Sequence, residues 1–204
     1  GPRADRGGTR SAAPGRSARP AQGVPGRPRT LTPAKPAGMF TAGVGGPAVL
    51  PQATLRDQGW KGPVYQTHAV ATDDFIRLGR DKVEGTILAA GPMLVIDDVP
   101  EANPTKKVAR AYIDTYEKRF GAKPATFGAN VWDGWILLER ASPVALKSGK
   151  PGTDAFRAAL RDALEQSREV VGTQGVFTMS ATDHNGMDDR ARVPVVVRDG
   201  RFRE

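Results

Sequence analysis

From Met39 onward the chain switches repeatedly between two hydrophobic periods: short apolar runs that suit strands alternate with longer stretches of 3.6-residue period, and Gly or Pro stands at most joints. The run over 40–46, FTAGVGG, reads as a strand end entering a glycine turn, with Pro47 at a favoured first-turn position for a helix over 48–58 that stops at Gly59. Val64-Tyr65-Gln66-Thr67 predicts a short strand, and Asp73 or Asp74 is placed to cap a helix carrying Phe75, Ile76 and Leu78. The runs 84–88 and 93–96 predict buried strands separated by a bend at Ala89-Ala90-Gly91-Pro92. Asn103-Pro104 opens the clearest helix, with Val108, Tyr112, Tyr116 and Phe120 at four-residue spacing and Gly121 as its stop. A second helix is predicted over 128–146, with Ile136, Leu137 and Ala141 on its buried side and Pro143 bending or ending it. A third starts at Thr153, buries Phe156, Leu160 and Leu164, and frays near Ser167. Strands over 175–179 and 193–197 follow, the last leading into an Asp199-Gly200 hairpin turn. This order predicts an α/β architecture with an antiparallel pair at its C-terminal end.

The first 38 residues are of a different kind. They hold seven Arg and Lys35 against Asp5 alone, so they carry +7 of the chain's formal +8, and Val24 and Leu31 are their only larger aliphatics. Such a stretch cannot offset chain entropy by burial and is expected to be disordered or loosely attached. It stays open as a flexible leader or linker, as a basic arm for an anionic polymer, or as a stretch outside the native reading frame; no nucleic-acid partner is expected. With no cysteine among 204 residues, disulfides, thiolate zinc sites and cysteine nucleophiles are excluded together. No apolar run reaches 18 residues, so no transmembrane segment is predicted, and no secretory signal is visible.

Candidate site residues come from three places. Gly43, Gly45 and Gly46, ahead of Pro47, would leave backbone N–H groups unobstructed at a strand's carboxyl end, where a helix start favours anionic groups; a plain tight turn is the competing reading. The segment lacks the Lys-Ser/Thr ending of a nucleotide-binding loop. Thr67 and His68 follow the second strand, and an imidazole can donate to a carboxylate. Phe127 precedes a helix and offers an aromatic wall, with a core role open for it and favoured for Trp132. Trp60 reads as packing. The cluster Asp183-His184-Asn185-Gly186-Met187-Asp188-Asp189 tempts a metal or hydrolytic reading, but neighbours in a turn point in different directions and no hydrolase or metalloprotease motif surrounds them.

The segments GVGGPAVLPQATL, YQTHAVATDDF, VEGTILAAGPMLV, ATFGANVWDGWILL, PGTDAFRAALRDALE and GVFTMSATDHNGMDDRARVPVVV, in this order and spacing, resemble the C-terminal half of type I periplasmic solute-binding proteins of the branched-chain amino acid and amide class of ABC transporters. The similarity runs over about 39–203. It implies two Rossmann-like lobes closing on a small-molecule ligand between them, with 39–90 and 169–204 in the second lobe and 91–168 returning to the first. The lobes would be incomplete, because the family's first half has no counterpart here. It also implies a periplasmic protein that captures a ligand, hands it to the transporter's membrane subunits, makes or breaks no bond and needs no cofactor or metal. His68 falls where amino-acid binders of the family place the carboxylate that holds the ligand ammonium. The resemblance therefore implies an amide, a carboxylic acid or an aromatic acid here rather than a simple branched-chain amino acid. The expected ligand-facing residues are Gly45, Gly46, Thr67, His68 and Phe127. A ligand-sensing regulatory domain of the same fold, an enzyme built on the 183–189 cluster, and an inactive gene fragment stay open beside this.

Overall fold

The computed structural model describes residues 36–204, so the expectation for the basic leader lies, apart from its last three residues, outside the described residues. Contacts divide the described residues into two compact units, the first running to Thr86 and the second spanning Ile87–Glu204. The order of elements is α/β, as the alternation of periods predicts, and no helix among the described residues is long and apolar enough to cross a membrane.

In the first unit, strand β1 (Met39–Thr41) runs parallel to β2 (Val64–Gln66), with Met39 opposite Val64 and Thr41 opposite Gln66. Helix α1 (Val49–Asp57) makes the crossover between them, entered through a 3-10 turn at Gly46–Ala48. The parallel pair needs such a crossover, since a hairpin turn cannot join strands that run the same way. Met39, Leu55 and Val64 are buried together, and the half-buried Trp60 packs on them as a packing residue. Helix α2 (Asp73–Gly79) buries Phe75 completely. Its cap is Thr72 rather than either aspartate: Thr72 is the last extended residue, and its hydroxyl accepts the Phe75 N–H. Asp73 and Asp74 lie inside the first turn, where carboxylates complement the helix dipole.

The second unit begins within β3 (Thr86–Ala90), which pairs antiparallel with β6 (Val193–Arg198), and β6 pairs antiparallel with β7 (Arg201–Arg203). Asp199 and Gly200 both have positive φ, 53° and 67°, which makes the two-residue turn that the dipeptide predicts. Val193, Val195 and Val197 are buried, the period-two pattern of a sheet face. Helix α3 (Thr105–Phe120) starts where Asn103 Oδ1 accepts the N–H of Thr105 at 3.0 Å and ends at Gly121 in the left-handed region. Helix α4 (Thr126–Ala145) carries Pro143 in its last turn and packs against α5 (Asp154–Glu165), capped by Thr153. The strands β4 (Val170–Val171) and β5 (Val176–Phe177) form a separate antiparallel pair, and Leu137, Val170 and Phe177 form a buried cluster there.

Four expectations need correction. The run 93–96 is a 3-10 turn at Pro92–Val95, not a strand, because Pro92 at its first position presets a helical φ. The strand predicted over 84–88 is displaced to Thr86–Ala90, since Gly85 has a φ of 73°. Of residues 175–179, only Val176–Phe177 forms a strand. Phe156, Leu160 and Leu164 are half-buried, so α5 lies on the surface of its unit rather than in its core.

Candidate functional site

The parallel register of β1 and β2 brings their carboxyl ends to the same edge, and the loops that leave them meet there. The N–H of Gly45 donates to the carbonyl of Ala69 at 2.9 Å, joining the glycine turn to the 3-10 turn His68–Val70. Gly45 holds φ 54° and ψ −145°, a conformation that side chains strongly disfavour, and open space lies where its Cβ would be. Gly43 is constrained by space instead: a Cβ there would stand 2.6 Å from that of Ala48. A Cβ on Gly46 would meet Leu78 Cδ1, also at 2.6 Å. The Thr67 hydroxyl reaches toward the Gly43 carbonyl at 3.5 Å, a long contact. Thus Gly45, Gly46, Thr67 and His68 occupy one loop cluster at the carboxyl ends of two parallel strands. In open α/β sheets that is the edge where ligands bind.

His68 is partly buried, and desolvation holds its imidazole pKa below 6.5, so at neutral pH the ring is uncharged. A neutral imidazole still has one N–H to donate and one nitrogen that accepts.

A buried amide network lies beneath this edge. Gln52 Nε2 donates to Thr86 Oγ1 at 2.7 Å and to the Lys82 carbonyl at 3.0 Å. Gln66 Nε2 donates to Gln52 Oε1 at 3.2 Å and, more weakly, to the Ala48 carbonyl. The chain of amides ties α1, the glycine turn and β2 into one frame, which fixes where Thr67 and His68 leave the sheet. Neither glutamine was singled out from sequence. The available signal was the alternation in Val64-Tyr65-Gln66, which puts Gln66 on the same buried face as Val64.

Phe127 belongs to the second unit, in the first turn of α4, and is 40% exposed. The helix start beside it is anchored by a second buried network. Asp133 accepts the N–H groups of Thr173 at 2.6 Å and Gln174 at 2.9 Å, and Gln174 Nε2 donates to Thr126 Oγ1 at 2.6 Å. Burial raises the Asp133 pKa, and the two backbone N–H groups partly restore its charged form. Trp132 departs from the core role favoured for it: it is 41% exposed and lies against Tyr112 with ring centroids 5.5 Å apart.

The 183–189 loop spends its polar groups on its own backbone and on neighbours. Asp183 Oδ1 accepts the N–H groups of Asn185 and Gly186, both at 3.0 Å. Asp188 caps and pairs with Arg190, while His184 Nε2 lies 3.1 Å from Glu165 Oε1. These side chains face separate partners, and among the described residues no group of three His, Cys, Asp or Glu could hold a metal ion.

Residues 29–201 match the family model described as periplasmic binding protein. The chain belongs to the periplasmic binding protein family. Among solved structures, this periplasmic binding protein chain is similar to the Rp1789 protein of Rhodopseudomonas palustris strain CGA009, at 38% identity and TM-score 0.86 over 91% of this chain and 52% of that one. It is also similar to an extracellular ligand-binding receptor of Rhodopseudomonas palustris HaA2, at 43% identity and TM-score 0.83 over 89% of this chain and 51% of the receptor. A putative branched-chain amino acid ABC transporter protein of Rhodospirillum rubrum follows at 27% identity and TM-score 0.62, over 87% and 46%. The chain therefore spans about half the length of the relatives it matches. No curated protein matches the sequence.

Proposed function

We propose that this chain supplies ligand-gripping residues of an extracytoplasmic solute-binding protein serving an ABC transporter, and that the ligand is a small amide, carboxylic acid or aromatic acid. The reading rests first on the Gly45–Ala69 hydrogen bond, which joins the glycine turn to the turn after Thr67 at the carboxyl ends of a parallel strand pair. It is supported by the family match and by relatives described as extracellular ligand-binding receptors and as a branched-chain amino acid transporter protein. The lobe assignment, 39–90 with 169–204 and 91–168 apart, the periplasmic location and the delivery of ligand to membrane subunits belong to the same proposal.

Gly46, Thr67 and His68 are the proposed ligand contacts of the first unit; Gly45, whose N–H is taken by the Ala69 carbonyl rather than left unobstructed as its sequence suggests, shapes the turn beside them. Phe127 is the proposed contact of the second, on the resemblance of its position to the family's aromatic one. Chemically, the uncharged His68 can donate to a carboxylate or to an amide carbonyl but offers no negative charge to an ammonium. Capture then acts through differential binding: a ligand that prefers one conformation of the protein populates it, and the transporter reads that conformation. Thermal-shift measurement across amino acids, amides, aromatic acids and simple amines tests the reading, because a ligand specific for the native state raises its melting temperature by mass action. Carboxylates and amides are expected to give the larger shifts; larger shifts from amines would refute it.

A further inference from the structure

The chain has three asparagines, and the residue that follows each decides its chemistry. Asn103 precedes Pro104, which has no N–H, and Asn130 precedes the β-branched Val131 inside helix α4. Asn185 precedes a glycine. It is exposed, in the loop that follows β5, and belongs to no helix or strand. Asparagine is thermolabile through its side-chain amide. Before a glycine it is most reactive, because no side chain shields the glycine nitrogen and the glycine backbone turns freely.

The glycine cannot be exchanged at this place. Gly186 has a φ of 64°, and a Cβ on it would stand 2.8 Å from Met179 Cγ and 3.1 Å from the Thr178 carbonyl oxygen. The fold therefore requires the reactive dipeptide, and it also restrains it. The Gly186 N–H donates to Asp183 Oδ1 at 3.0 Å, and the Gly186 carbonyl accepts the Thr178 N–H at 2.8 Å. The same Asp183 oxygen accepts the Asn185 N–H at 3.0 Å, so the peptide groups on both sides of Asn185 are fixed. Asp183 is held in turn by Ser180, whose N–H donates to the Asp183 carbonyl at 2.9 Å.

Deamidation starts when the Gly186 nitrogen gives its proton to hydroxide. The anion adds to Asn185 Cγ, a C–N bond forms, and the side-chain nitrogen leaves as ammonia with a proton drawn from water. Water then opens the cyclic imide at either carbonyl, leaving aspartate or isoaspartate. Water is consumed, ammonia is released and nothing is oxidised or reduced. Asp183 opposes the first step in two ways. Its oxygen is an acceptor that only the protonated nitrogen satisfies, and its negative charge 3.0 Å away disfavours an anion there.

We propose that Asn185-Gly186 is a latent deamidation site that the fold keeps closed through the Asp183 carboxylate. Once modified, the loop acts on the core beside it. Isoaspartate lengthens the main chain by a methylene and displaces the Thr178–Gly186 bond and the Phe177–Met187 bridge. Met187 packs against the buried cluster of Leu137, Val170 and Phe177, which then loses that cover. The inference is independent of the ligand reading, and its test uses no ligand.

The test incubates the full chain, folded and in urea, in mildly alkaline buffer and follows Asn185 by peptide mapping with mass spectrometry. The folded parent is expected to react far more slowly than the unfolded chain. Asp183→Ala is expected to speed the folded reaction by about tenfold or more, the scale on which a neighbouring charge moves a protonation equilibrium. Asp183→Ser, which restores an oxygen acceptor without the charge, should stay nearer Asp183→Ala than the parent. His184→Ala disturbs the same loop at its Glu165 contact but leaves Asp183 in place, and should keep the parent's rate. Circular dichroism at the incubation temperature establishes that each variant is folded; if Asp183→Ala is not, Asp183→Ser carries the comparison. A folded parent that deamidates as fast as the unfolded chain would overturn the proposal. So would Asp183 variants that keep the parent's rate, or a His184→Ala chain as fast as Asp183→Ala.

Discussion

The backbone N–H of Gly45 and the carbonyl of Ala69 meet at 2.9 Å, and through this bond two loops from neighbouring parallel strands become one surface. Gly45 reaches it only by holding a positive φ of 54° with ψ at −145°. Replacing Gly45 by Ala meets no steric obstacle, since nothing lies within 4 Å of the new Cβ. The cost is conformational, about 1–3 kcal/mol. Chemical denaturation should show that loss, with the ligand response weakened more than stability because the turn tilts away from His68. An unchanged midpoint would mean that the turn is not strained.

Gln52 is fully buried and serves Thr86, Lys82 and Gln66 at once. Gln52→Ala removes its packing and leaves the Thr86 and Gln66 groups short of partners, a loss of about 3 kcal/mol or more. Gln52→Met, which keeps the volume, should recover part of it. The difference between the two unfolding midpoints separates packing from hydrogen bonding, and equal midpoints would assign the whole effect to the amide.

The titration of His68 has a defined sign. Its folded-state pKa lies below 6.5 because burial disfavours the charged ring. The unfolded chain therefore takes up the proton first, and stability contributed by the neutral ring is lost as pH falls from about 6.5 through the folded value. His68→Gln should flatten this part of the stability curve while leaving its shape at higher pH alone. A variant whose pH dependence matches the parent between pH 5 and 7 would show that another group carries it.

Phe127 is 40% exposed, so Phe127→Ala should cost little stability. If its ring walls a ligand, affinity for an aromatic acid should fall by about tenfold, the scale of one aromatic contact. Titration calorimetry on the two proteins checks this. A fall in stability without a fall in affinity would make Phe127 a packing residue.

Turn chemistry was the most readable part of the sequence, because it is local. Asp199-Gly200, Gly121 and Asn103-Pro104 each dictate a backbone geometry within a few residues, and each holds in the structure. The run Met93 to Ile96 was ambiguous for a physical reason: a short buried apolar segment looks alike as strand or helical turn, and Pro92 decided it. Trp132 misled because α4 is apolar on several sides, so periodicity cannot say which side the rest of the fold covers. The glycines, Thr67 and His68 are legible in sequence as loop residues at strand ends. The sequence did not reveal the Gln52–Gln66 amides beneath them, since a buried polar pair 14 residues apart leaves no local pattern.

The account depends on His68 selecting an acceptor rather than a cation in its ligand. Calorimetric titration of the protein and of His68→Asp with a carboxylic acid, its amide and the matching amine tests this most directly. The parent should bind acid or amide in preference to amine, and His68→Asp should reverse that order by setting a carboxylate where the imidazole stood. An amine preference in the parent, or the same order in both proteins, would contradict it.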